Sequence, residues 1–102
     1  MGKLIEAAKT DEIPLGQAKI FQLNGKIVAI FNLDGKYYAI EKSCPHLGGP
    51  LNEGRVEGEV VTCPWHGSKF SLKTGEVLGE PAKRGIRSYR VTVEDSKIKV
   101  EI

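Results

Sequence analysis

Every cysteine and histidine of this 102-residue chain falls in two short segments, Cys44-Pro45-His46 and Cys63-Pro64-Trp65-His66, with residues 47–62 between them. Thiolate and imidazole are metal-binding donors. A chain that brings all four together has few folds open to it, because both segments must lie on loops that face each other. The surroundings suit tight loops: Ser43-Cys44-Pro45-His46-Leu47-Gly48-Gly49-Pro50 and Thr62-Cys63-Pro64-Trp65-His66-Gly67-Ser68 place proline and glycine around each pair. Proline fixes φ, and glycine permits angles and close approaches that a side chain blocks, so backbone amides are free to point inward.

Several chemistries use this residue set. Structural zinc takes two cysteines and two histidines, but zinc fingers run C-x2–4-C and then H-x3–5-H; here the order alternates and the first gap is one residue. A Cys44–Cys63 disulfide would suit a secreted domain. However, Met1-Gly2-Lys3 leads directly into a strand-like segment rather than a long apolar stretch, so no secretory leader is expected. A catalytic Cys–His pair needs an orienting third group and a substrate pocket, and no residue stands out for that part. In a [2Fe–2S] cluster with mixed ligands one iron keeps two thiolates and the other takes two imidazoles. Two loops that each offer one cysteine and one histidine fit that demand.

The rest of the sequence reads as strands. Ala18–Leu23, Lys26–Leu33 and Lys36–Ile40 are rich in β-formers and are separated by Asn24-Gly25 and Asp34-Gly35, both hairpin signals. Glu59–Thr62 enters the second Cys/His loop, and Lys69–Leu72 leaves it toward a turn at Lys73-Thr74-Gly75-Glu76. Ile86–Glu94 and Lys97–Ile102 give two more strands around Asp95-Ser96. With no long helix in view, the expected fold class is all-β: an antiparallel sandwich or partly closed barrel, one domain over residues 1–102. A small metal-binding subdomain is expected as an insertion at about 42–77. The 40% of hydrophobic residues suffices for one modest core. No apolar run is long enough to cross a bilayer, and a net charge of +2 without a basic stripe excludes nucleic acid as an expected partner. A cytoplasmic monomer is expected.

On these residues the chain resembles the Rieske ferredoxin family over nearly its whole length. The resemblance implies one [2Fe–2S] cluster, with Cys44 and Cys63 on the inner iron and His46 and His66 on the outer. Rieske proteins of the cytochrome bc type carry an extra cysteine in each loop, joined as a disulfide; Gly49 and Trp65 stand in those places here. A serine and a tyrosine that donate to sulfur in that branch correspond to Ser68 and Phe70, so one hydroxyl is kept and one lost. Fewer donors stabilise the extra electron less, which puts the expected potential in the lower or middle part of a span of about −150 to +300 mV.

The resemblance further implies a one-electron carrier between a ferredoxin reductase and a terminal oxidoreductase such as a dioxygenase. An alternative is the small Rieske-like subunit of a nitrite reductase. The chain is not expected to be an enzyme. Both histidines are already assigned, leaving none for a mononuclear oxygen-activating iron, and no glycine-rich dinucleotide fingerprint is present. Trp65, with Leu47 and Leu51, is suited to shield the cluster, to give a partner an apolar footing, or to pack one loop on the other. Gly79-Glu80-Pro81-Ala82 resembles the family's proline-containing loop over the cluster, with Pro81 as its rigid residue. Lys42, Arg55, Lys69, Lys83, Arg84 and Arg87 are suited to steer an acidic partner, but Glu41, Glu53, Glu57 and Glu59 interleave with some of them, and dispersed charges of this kind are usually a solvated face, so no docking surface follows.

Overall fold

Asn24-Gly25 and Asp34-Gly35 set the architecture. Their φ values are 52° and 81°, and 58° and 89°, the paired left-handed conformations that a two-residue hairpin turn requires. Strands on either side of each turn therefore pair in tight register, Leu23 opposite Lys26 and Leu33 opposite Lys36.

A computed structural model describes residues 3–45, 48–65, 67–80 and 82–102. The chain runs β1 (Leu4–Lys9), β2 (Ala18–Leu23), β3 (Lys26–Leu33), β4 (Lys36–Glu41), β5 (Arg55–Glu57), β6 (Val60–Thr62), β7 (Lys69–Ser71), β8 (Val77–Gly79), β9 (Ser88–Tyr89), β10 (Val91–Glu94) and β11 (Lys97–Glu101). Helical structure among the described residues is limited to single 3-10 turns at Thr10–Glu12 and Leu51–Glu53, and no helix there is long and apolar enough to cross a membrane. The strands form three antiparallel sheets: a terminal sheet β1-β11-β10, a central sheet β2-β3-β4-β9 and an inserted sheet β5-β6-β7-β8. The all-β expectation holds.

The central sheet is buried on both faces, and β3 shows how. Val28 and Ile30 join Ala8, Ile13, Leu23, Ala39, Ile98 and Val100 in a core under the terminal sheet. Ala29 and Phe31 point the other way, into a second core with Ile40, Leu51, Val61, Phe70, Leu72, Cys44 and Cys63. The strand's period of two thus feeds two cores. Each large aliphatic side chain buried there contributes about 1.5–3 kcal/mol, so the first core braces the sheet from the side away from the cysteines.

The expected strands hold within a residue or two except in the tail. Ile86–Glu94 is not one strand: β9 pairs with β4, Ala39 opposite Tyr89, whereas β10 pairs with β11. The chain changes sheets at Arg90, because the β10–β11 hairpin turns away to cover the first core. β5 and β8, three residues each, carried no strand pattern of their own. β8 closes the inserted sheet and takes it past the expected limit near Val77. Because β4 and β9 are neighbours, the two ends of the insertion meet in the central sheet. At its far side Tyr38 Oη donates to Glu59 Oε2 (2.6 Å), and Leu72 N–H donates to Glu59 O (2.8 Å), fastening the insertion's turns to the central sheet.

Candidate metal centre

Both cysteines open a loop of the same construction. In the first, Cys44 N–H donates to Gly49 O (2.9 Å) and Gly48 N–H to Cys44 O (2.7 Å); in the second, Cys63 N–H donates to Ser68 O (2.7 Å) and Gly67 N–H to Cys63 O (3.1 Å). Ser43 and Pro50 pair at the base of the first loop, as Thr62 and Lys69 do at the base of the second. Gly48 and Gly67 have φ of 78° and 80°, a conformation that costs other residues about 1–2 kcal/mol. The glycine that follows each Cys/His pair is therefore a requirement of the turn.

The loops meet at Gly49. A Cβ on that glycine would lie 2.6 Å from Cys63 Sγ and 3.3 Å from Cγ and Cδ2 of Trp65, so only a residue without a side chain lets the loops approach this closely. Trp65 lies against Gly49 on one side, yet the residue is 55% exposed; it serves the packing role and keeps a free surface. Gly49 and Trp65 are also the two residues that the resemblance sets where the cytochrome bc type has its disulfide cysteines. Here a tryptophan packed on a glycine joins the same two places.

Ser68 is fully buried, and its Oγ accepts the Ala82 N–H (2.9 Å). Accepting through a lone pair leaves the hydroxyl proton to be donated. The same bond ties the segment after β8 to the second loop, and Ile86 N–H donating to Gly75 O (2.8 Å) anchors that segment farther along. Phe70, expected in the place of the cytochrome bc type's tyrosine, is fully buried and supplies no donor. Leu51 is buried beneath the loops. Of the expected site residues, Cys44, Cys63, Trp65 and Ser68 are brought together in this way; His46, His66, Leu47 and Pro81 lie outside the described residues.

The donor set suits a soft, redox-active metal group. Cys44 and Cys63 are 2% and 3% exposed and are not joined to each other; they sit in an apolar core with a buried hydroxyl, and neither loop contains Asp, Glu, Lys or Arg. Such an environment favours thiolate ligation over hard, oxygen-ligated ions. Two tyrosines away from the loops are shifted. Tyr38 is raised above its usual value by its hydrogen bond to Glu59, and Tyr89 is raised by burial and then by the Glu41 carboxylate. Two contributors were named from the sequence without these parts. Gly49 carried its signal in the Gly-Gly-Pro run, whereas Ala82 acts through its backbone amide and carried none.

The comparisons with known proteins agree with this site. The family model described as the Rieske [2Fe–2S] domain matches residues 3–90. The ferredoxin component of naphthalene 1,2-dioxygenase/salicylate 5-hydroxylase systems from Ralstonia sp. is 32% identical over 98 residues, 96% of this chain and 94% of the relative. The 3-phenylpropionate/cinnamic acid dioxygenase ferredoxin subunit of Shigella boydii is 35% identical over 99 residues, 96% of this chain and 92% of the relative. Among solved structures, the ferredoxin of carbazole 1,9a-dioxygenase from Nocardioides aromaticivorans superposes with a TM-score of 0.89 at 27% identity, covering 96% of each chain.

Proposed function

The chain belongs to the Rieske [2Fe–2S] domain family, and from that premise we propose that it is a cytoplasmic, monomeric one-electron carrier, a single domain with no substrate-converting site of its own. The observation that carries this reading is the meeting of two like-framed cysteine loops inside an apolar core. When bound, a [2Fe–2S] group supplies reversible one-electron chemistry, at a potential raised by imidazole ligation. Cys44 and Cys63 would hold one iron as thiolates, and His46 and His66 would hold the other as neutral imidazoles. Ser68 holds Ala82 through its oxygen and keeps a hydroxyl proton that it would donate to the group; Trp65, Leu47 and Pro81 would exclude water. With the Ser68 hydroxyl kept and Phe70 supplying none, the potential falls in the lower or middle part of the Rieske span of about −150 to +300 mV.

The electron arrives from a reductase and leaves to a terminal oxygenase. The relatives' descriptions as ferredoxin components of dioxygenase systems support that placement. The test is an EPR spectrum of the dithionite-reduced protein, with iron and zinc quantified on the same anaerobic sample. A rhombic signal with average g below the free-electron value, with about two irons per chain, is the expected result. A silent sample with one tightly held zinc and no iron would overturn the reading.

A further inference from the structure

We propose that Gly75 and Gly85, which meet at the far turn of the inserted sheet, are positioning residues for the metal group: their side-chain-free contact sets the reach of residues 82–86 and so keeps the Ala82 amide on Ser68; this rests on the carrier reading and adds a remote determinant of the potential. The turn is braced from within. Ser71 N–H donates to Glu76 O (2.9 Å) and Gly75 N–H to Ser71 O (2.8 Å). Thr74 N–H donates to Ser71 Oγ and Glu76 N–H to Thr74 Oγ1, both at 3.2 Å. Gly75 is buried, with φ of 80°, and its carbonyl accepts the Ile86 N–H (2.8 Å). A Cβ on Gly75 would run into the Ile86 carbonyl, and one on Gly85 would run into the Gly75 carbonyl. Two glycines that bar side chains from each other's segment mark a contact made backbone to backbone.

The two ends of this segment rest on the two ends of β7. Ala82 N–H meets Ser68 Oγ (2.9 Å) just before the strand begins, and Ile86 meets the turn that follows Ser71. From Ser68 to Ser71 a strand rises about 10 Å, and the chain from Ala82 to Ile86 spans at most about 14 Å. Little slack is left. Ala82 and Ile86 are both buried in the core that holds the cysteines, whereas Lys83 and Arg84 between them are exposed. Beyond Ile86 the chain is fixed again: Arg87 N–H donates to Glu41 Oε1 (2.8 Å) and Glu41 N–H to Arg87 O (2.9 Å). Residues 82–86 therefore form a short strap on a rigid anchor, and a displacement at Gly85 is taken up at Ala82. An accepted bond orients and polarises a hydroxyl, so Ser68 donates better while it holds Ala82. A better donor stabilises the extra electron and raises the potential.

The test is the reduction potential of the intact protein, read by EPR-monitored titration, together with hydrogen exchange of the peptide covering residues 80–87. Gly85→Ala should lower the potential, in the same direction as Ser68→Ala, and speed exchange in that peptide several-fold as the strap opens more often. In a Ser68→Ala background it should shift the potential no further, because the route runs through that hydroxyl. Gly58→Ala is the control. Gly58 sits in the β5–β6 turn of the same sheet, with φ of 60° and open space where its Cβ would go, so alanine there pays left-handed strain, touches nothing and should leave the potential unchanged. An unmoved potential in Gly85→Ala, an equal shift in Gly58→Ala, or additive shifts from Gly85→Ala and Ser68→Ala would overturn the proposal. A wild-type protein that is silent and lacks iron defeats the carrier reading and this inference together, whereas an intact signal with an unmoved Gly85→Ala potential defeats the inference alone. Should Gly85→Ala fail to hold iron, Ser71→Ala/Thr74→Val unbraces the turn without filling the contact. A smaller downward shift that vanishes in the Ser68→Ala background is then expected, and no shift would overturn the proposal.

Discussion

The two cysteine loops share a backbone frame and differ in how they end. Each begins with Cys-Pro, each turns at a left-handed glycine, and each returns a carbonyl to its cysteine amide. The first loop ends on Gly49, the second on Ser68. The missing side chain makes room for Cys63 Sγ and the Trp65 ring, while the added hydroxyl takes hold of Ala82. One loop is thus specialised to be approached and the other to reach out. The histidines are offset in the same frame, third in the first loop and fourth in the second, so that His46 corresponds to Trp65 and Leu47 to His66 in sequence position. A repeated turn supplies equivalent thiol positions, and the residues on it are free to diverge.

The sharpest way to break this comparison is to give the first loop a side chain at its last position. Gly49→Val sets carbon where Cys63 Sγ and the indole already lie, and overpacking of a tight core costs about 3 kcal/mol at the upper end. The expected outcome is a folded or partly folded protein that fails to retain iron. Metal analysis together with far-ultraviolet circular dichroism checks it; full iron content would show that the loops separate without harm.

Much of this was legible in the sequence, and the reasons are local. The Asn-Gly and Asp-Gly turns dictate backbone angles by themselves, so β2, β3 and β4 were found with their register. The Cys/His spacing announced its loops for the same reason. What escaped was non-local. The split of Ile86–Glu94 depends on which sheet each half pairs with, and Ala82 matters through an amide that every residue but proline has.

A smaller effect should come from the other terminus of the comparison. Ser68→Ala leaves the Ala82 N–H without its acceptor in a buried place, at a cost of about 1–3 kcal/mol. The loss should appear in urea melts as a lower midpoint with unchanged slope. The potential should move downward as the hydroxyl donor is lost, while Ser68→Thr, which keeps the hydroxyl, should recover most of both. If Ser68→Ala changes stability but leaves the potential where it was, the serine is a clasp for the following segment and has no part in tuning. Trp65→Ala, which removes a half-exposed ring, should cost about 1–2 kcal/mol, less than the 3–5 of a fully buried tryptophan, with the EPR signal retained.

The most discriminating change is also among the smallest, because it tests the sameness of the loops. Gly48 and Gly67 both have open space where a Cβ would go, so alanine at either position meets no steric obstacle and pays only the left-handed strain of about 1–2 kcal/mol. If the frames are equivalent, Gly48→Ala and Gly67→Ala should lower stability equally, within the error of a denaturation curve. Their effects should add in the double variant, because the strain at each is confined to its own turn. A much larger loss at one of them would mean that its loop depends on its partner for its shape, and the two thiols would then be held by one built loop and one moulded against it.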